Sequence, residues 1–404
     1  MNEIVKGKQS LLFLQAPRIV SASSVVGSKE AEGPLRKLFD RAEKDDLFGA
    51  QTWEEAESTM QKEACMTALH KAGISAEEIR YLFGGDLLRQ GIATSMGVED
   101  FQIPMFGLYG ACSTSGEALA LAAMSASAGY GRYMMAVTSS HFGSAEKEFR
   151  FPLGYANQRP LSAQWTVTGS GAFVVAGADV PPEPESGTKR EPEIGMKREP
   201  EIGTKHESEI GTKREPEIGT KHESEIGTKR EPGASGKNES REETCFRHVR
   251  ITGITVGKIV DYGLKDSQNM GACMAPAAMD TISRNFEDMG RSAGYYDRII
   301  TGDLGCIGSS ILTDLLKGQG HDIRGRHLDC GMTVFDRETQ DTHAGGSGCG
   351  CAAVTLAAYV LPKIESGEWG RVLFVPTGAL MSTVSFNEGA SVPGIAHGIV
   401  LEHF

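Results

Sequence analysis

Cys112 stands in "GACSTSG", residues 110–116, and is followed at once by the alanine-rich run "EALALAAMSASAGYG". Glycine and alanine before the thiol let other groups approach the sulfur closely. A helix beginning just after it would aim free backbone N–H groups at it, which lowers a thiol's pKa and stabilises an oxyanion. That is nucleophile chemistry, but acyl transfer also needs a proton acceptor and a group that orients the carbonyl. The alternative reading is a small pocket-lining residue, and both stay open at this stage.

Other residues have types suited to a ligand. Asp86 ends the strand-like "YLFGGDLL" (81–88), and Asp303 ends the similar "RIITGDLG" (298–305). A carboxylate at such a position either caps the next helix or faces a pocket. We expect capping for Asp303 and the pocket for Asp86, which shares a half with Cys112. A buried Asp86 would be protonated and able to donate to a ligand carboxylate. His141 follows the strand "RYMMAVTSS", at the kind of strand end where open α/β sheets bind ligands, and His397 occupies the turn in "PGIAHGIV". Arg150 and Arg159, in "EFRFPLGYANQRP", read as a loop over the pocket mouth, and either can hold a carboxylate bidentately. The string "GGSGCG" (345–350) lacks a preceding strand and a ribose-binding acid, so it is not a dinucleotide loop. It reads instead as a tight turn opening a second alanine-rich helix. With the Cys112 helix it would direct two helix N-termini into one cavity suited to an anion, where Ser113, Gly346 and Ser347 would supply donors and room.

Composition limits the possibilities. The chain has 404 residues, 50 of them glycine, an apolar fraction of 40% and a net charge of −12. It can bury a large core, and its acidity argues against a nucleic-acid surface. Eight scattered cysteines with no CxxC pair point to reduced thiols. No His/Cys cluster has zinc spacing and no stretch resembles an EF-hand loop. The amino-terminal stretch shows no secretory signal. The longest apolar run, "AAVTLAAYVL", is shorter than the ~18 residues of a membrane span, so any membrane association is expected to be peripheral.

The elements that must position these residues come in two sets. An insert intervenes: from residue 193 to 232 the chain repeats an octapeptide five times, "EIGMKREP EIGTKHES EIGTKREP EIGTKHES EIGTKREP". Each copy has one isoleucine and a helix-breaking glycine, so residues 181–244 cannot offset their ordering entropy and are expected to be a disordered insert. Its role is either a partner-binding tether or a tolerated loop expansion. On either side the sequence repeats itself. Residues 110–140 pair with 349–379, each a small-residue turn, an alanine-rich helix, a Gly-Arg step and a β-branched strand, so that Cys112 falls opposite Cys351 and Asp86 opposite Asp303. Alternating strands and helices predict parallel βαβ units. Two copies predict an N-terminal half (1–180) and a C-terminal half (245–404) about a pseudo-twofold axis.

Together these features resemble the thiolase fold, and the Cys112 turn resembles that of the condensing enzymes related to ketoacyl synthase III. The resemblance implies an α/β fold of two similar βαβ-rich halves in a layered αβαβα arrangement. More specifically, "GPLRKLFD" (33–40), "FGGDLLRQ" (83–90), "GACSTS" (110–115), "TSSH" (138–141), "DSQNMGACMAPAAMDTI" (266–282), "AGGSGCGCAAV" (344–354) and "IAHGIV" (395–400) are similar, in order, to the stage V sporulation AD family. That family is a thiolase-like part of the machinery that moves dipicolinic acid into the developing bacterial spore. The octapeptide insert departs from it.

The resemblance also bears on mechanism. Condensing enzymes place a histidine after the strand corresponding to 298–301, where this chain reads "TGDLGCIGSS". Their Asn-Gly-Asn-Thr type of motif is replaced by "HAGGSGCG", and His343 is close by but out of register. The expectation is therefore a non-enzymatic binding protein, with an acyltransferase or condensing enzyme using Cys112 as the alternative. The implied ligand is dipicolinate, alone or as its calcium chelate, with no cofactor, and a calcium ion would take an oxygen such as Asp86. Implied too are a homodimer, stage V sporulation proteins AC and AE as membrane partners, and a peripheral place on the cytoplasmic face of the forespore inner membrane.

Overall fold

Ten strands carry the architecture, in two runs of five. The first run is β1 (Arg18–Val26), β2 (Ile79–Gly85), β3 (Met105–Gly107), β4 (Tyr133–Ser140) and β5 (Gly169–Ala176). The second is β6 (Val249–Thr255), β7 (Arg298–Thr301), β8 (His327–Asp329), β9 (Arg371–Val375) and β10 (Gly398–His403). The principal helices are α1 (Trp53–Ala72), α2 (Thr114–Ser127), α3 (Phe142–Phe149), α4 (Met270–Met289), α5 (Gly305–Gly318) and α6 (Cys349–Thr355). The computed structural model describes residues 4–149, 159–181 and 245–404, so the expected disordered insert and Arg150 lie outside the described residues.

The sheet runs β8-β7-β9-β10-β6-β1-β5-β4-β2-β3. Each half thus has the same order, third-second-fourth-fifth-first. The pairing senses repeat as well. β2 pairs parallel with β3 and β4, while β5 is antiparallel to β4 and β1. Likewise β7 pairs parallel with β8 and β9, while β10 is antiparallel to β9 and β6. β6 and β1 meet through the antiparallel pair Arg250–Arg18, and residues 10–12 of the first half also pair antiparallel with β6. The repeat legible in the sequence is therefore a repeat of topology.

Side-chain alternation builds the layers. Along β4, Met134 and Ala136 face a central core, while Tyr133, Met135 and Val137 face an outer one packed on α1. Along β9, Val372 and Phe374 enter the same central core, and Leu373 and Val375 pack with α4 and α5 on the other side. Strands covered on both faces are apolar at every position, which is why these runs read as continuous rather than alternating. The central core holds α2 and α6, whose Ala118, Ala122, Ala123, Ala352 and Ala353 are buried. A helix apolar on every side belongs in an interior, and alanine lets the two lie close. The result is helix, sheet, helix pair, sheet, helix.

Local signals fix the ends. Thr52 and Glu55 form a capping box at the start of α1, and Gly73 closes it in the left-handed conformation. Asn269 accepts the Ala272 N–H at the start of α4. Before α6, Gly348 has φ of 103°, and a Cβ there would lie 2.5 Å from Ser140 Oγ, so only glycine fits.

Candidate functional site

A tight helical turn, Ala111–Ser113, delivers the chain into α2 with Ala111 at φ 52°, a left-handed value unusual for alanine. This turn presents Cys112 to a cavity of about 240 Å³. Leu87, Tyr109, Ala145, Phe149, Met270 and Met381 supply most of the apolar wall. Thr166 and Ser347 also line it, brought side by side by a two-residue parallel ladder that joins the halves. The cavity is smaller than the roughly 300–1,000 Å³ of drug-sized sites, and no lysine, arginine or histidine is among its described lining residues.

The group beside the thiol is Asp303. It follows β7, is 1% exposed, and shares a hydrogen bond with the Cys112 thiol. Its other bonds hold it rigidly: Oδ2 accepts the Gly348 N–H at 2.9 Å and Oδ1 accepts the Thr377 hydroxyl at 2.8 Å. Burial pushes this carboxyl up to about 7, against the pull of those three donors. Burial, then the neighbouring Asp303, drives the Cys112 thiol well above the ordinary range. Proton transfer from thiol to carboxylate therefore runs uphill. The helix start that would favour a thiolate is outweighed by desolvation and a like charge.

This reverses the expected roles of the two aspartates. Asp86 does not line the cavity. It is fully buried and accepts the Leu88 N–H (2.8 Å), the Thr94 N–H (2.8 Å) and the Thr94 hydroxyl (2.6 Å), so Asp86 is the capping residue. The two strand-end acids are therefore not used alike, although each is near a cysteine of the other half. Asp303 meets Cys112, and Asp86 is near enough to Cys349 to help burial and Glu57 raise that thiol.

Of the remaining candidates among the described residues, Ser347 lines the cavity and the others do not. Ser113 Oγ donates to the Gly110 carbonyl at 2.7 Å and braces the turn. His141 is 1% exposed; Nε2 donates to the Asp46 carbonyl (2.7 Å), Nδ1 accepts the Gly143 N–H (3.0 Å), and burial lowers its pKa. It is a structural histidine whose ring lies tilted against Trp53. Gly346 gives no slot, since a Cβ there would meet Val334 at 2.8 Å and Val167 at 3.1 Å in the core. His397 accepts the Gly257 N–H through Nδ1, and its Nε2 is 3.4 Å from Glu117 Oε1. Arg159 pairs with Asp341 and His343 bonds the Pro160 carbonyl, both away from the thiol. Cys351 is fully buried in the central core. The residues missed were the apolar wall and Thr377, whose signal was only proximity to glycine-rich turns.

Solved structures with similar folds put this geometry in context. The cerulenin-bound OleA of Xanthomonas campestris aligns with a TM-score of 0.52 at 14% identity, over 96% of this chain and 97% of that one. The 3-oxoacyl-(acyl-carrier-protein) synthase III of Aquifex aeolicus VF5 aligns at 0.50 and 10% identity, over 96% and 100%. The fold is thus thiolase-like. In sequence, the family model for stage V sporulation protein AD matches residues 7–203 and 238–402. The stage V sporulation protein AD of Bacillus subtilis (strain 168) is 34% identical over 396 residues, 98% of this chain and 97% of that protein. The chain belongs to the stage V sporulation protein AD family. This member of the sporulation family places an aspartate beside the thiol of its cysteine turn. Among the described residues, no helix is long and apolar enough to cross a membrane.

Proposed function

We propose that this sporulation protein is a non-catalytic binder of dipicolinate, using the Cys112 cavity, and that it takes part in moving that acid into the spore. The observation that carries the binding reading is the Cys112–Asp303 contact: the pocket is kept while the thiol is held neutral beside an acid. An apolar wall suits the flat ring. The N–H groups at the start of α2, beside Ser347 on the cavity wall, suit the carboxylates. Calcium enters this reading only as the ligand's own counter-ion. Asp86 is committed to three hydrogen bonds, and no group of three metal-ligating side chains occurs among the described residues.

Family membership supports the further proposal of membrane partners, stage V sporulation proteins AC and AE, and a peripheral place at the forespore inner membrane. The edge strand β3 supports a homodimer. Met105, Phe106 and nearby Tyr109 are 37%, 53% and 53% exposed there, and an open edge bearing apolar side chains is a template for pairing. Calorimetric titration of dipicolinate, with and without calcium, tests the ligand. The parent protein should bind, and Ala145→Trp, which fills the cavity from α3, should abolish binding while the fold persists. Equal affinity in both would place the site elsewhere.

A further inference from the structure

Asp303 has a feature that a simple anion site would avoid. Its carboxyl lies directly behind Cys112, which forms part of the cavity surface, and all its described donors are neutral: a thiol, a hydroxyl and a backbone N–H. Among the described residues no lysine, arginine or histidine forms a hydrogen bond or ion pair with it. The titratable groups facing it are Cys112 from the turn before α2, Cys349 and Cys351 from α6, and Asp329 and Cys330 at the end of β8. The thiols are held neutral by burial. Asp329 is also an acid, and it is committed to the Thr301 hydroxyl and the Leu304, Gly305 and Met332 N–H groups. An ionised Asp303 would therefore oppose any carboxylate seated against Cys112, with no cation to compensate.

We propose that capture of an anionic ligand in the Cys112 cavity is coupled to uptake of a proton by Asp303. The inference rests on the binding reading above and adds its regulation. The proton comes from solvent and ends on a carboxyl oxygen of Asp303, and no other bond forms or breaks. Neutral Asp303 can donate towards Cys112 Sγ, leaving the thiol proton free to point at the ligand. Because this carboxyl sits at about 7 when the cavity is empty, the linkage falls in the neutral range. Affinity for a dicarboxylate is then nearly flat in mild acid and falls about tenfold per pH unit above about pH 7.

The test is calorimetric titration of dipicolinate at one pH in two buffers of different ionisation enthalpy. Both ligand carboxyls are ionised in the neutral range, so the protein is the proton acceptor. The difference in heat should report uptake of about half a proton at about pH 7, approaching one at about pH 8 and little at about pH 5.5. Asp303→Asn should bind with no buffer dependence and with affinity level across that range. Heat that is independent of buffer in the parent protein overturns the proton coupling and leaves the binding reading intact. An unchanged buffer dependence in D303N overturns the assignment to Asp303. Absence of heat at every pH removes the dipicolinate reading and the inference together. Should D303N fail to fold, the parent's own buffer dependence decides.

Discussion

Replacing Asp303 by asparagine should change how stability depends on pH. In the folded protein burial holds this carboxyl at about 7, against about 3.9 for an ordinary aspartate. At about 1.36 kcal/mol for each tenfold change in proton affinity, the buried ionised form costs ~4 kcal/mol. Because the folded pKa is raised, the folded state binds more protons between the two values. Stability from this group is complete below about pH 4, drains away as pH rises towards about 7, and is level above that. About 1 kcal/mol is lost by about pH 4.5, and the whole by about pH 8.5. Asparagine carries no such penalty, but it offers one acceptor fewer and leaves the Gly348 N–H or the Thr377 hydroxyl without its bond, costing about 1–3 kcal/mol at every pH. The difference between variant and parent should therefore move by about 3 kcal/mol in the variant's favour from about pH 4.5 to about pH 8.5. Urea unfolding at the two pH values measures this. A difference that stays constant within ~0.5 kcal/mol would refute the buried, unpaired state of Asp303.

Four further outcomes are expected. Incubation with acyl-CoA thioesters should leave no adduct on Cys112 by intact mass, and turnover to a condensed product would restore the acyltransferase alternative. Gly348→Ala should destabilise the protein by about 1–3 kcal/mol, because it forces alanine to φ 103° against Ser140; an unchanged unfolding midpoint would contradict that crowding. Deleting residues 181–244 should leave the melting temperature within a few degrees, and Phe106→Asp at the β3 edge should yield a monomer by sedimentation if the parent is dimeric.

The sequence was most informative where it repeated itself. Pairing "YLFGGDLL" with "RIITGDLG" located β2 and β7, and pairing the two alanine-rich runs located α2 and α6, because buried elements of a duplicated fold carry the same pattern twice. It was misleading about which aspartate serves which cysteine. A repeat tells how far along its strand a residue lies, and says nothing about which half's helix start it faces across the axis. The histidines misled for a different reason. His141 and His397 do stand beside strand ends, but neither lines the cavity: the His141 ring bonds Asp46 and Gly143, and the His397 ring accepts the Gly257 N–H with Nε2 3.4 Å from Glu117. Such bonds depend on loops whose paths no spacing specifies. The apolar wall was invisible because Leu87, Met270 and Met381 come from three separate segments and read singly as core.

The central claim, that the Cys112 cavity is a binding site, is tested most directly by protection of Cys112. Peptide mapping during prolonged exposure to a small neutral thiol reagent in excess, long enough to modify a thiol held in its neutral form, follows Cys112 apart from the other seven cysteines. Dipicolinate should slow its modification saturably, to the same half-point as the calorimetric affinity, without itself becoming attached to the sulfur. Modification at an unchanged rate under saturating ligand would contradict the account, because a ligand that leaves Cys112 open is not in this cavity.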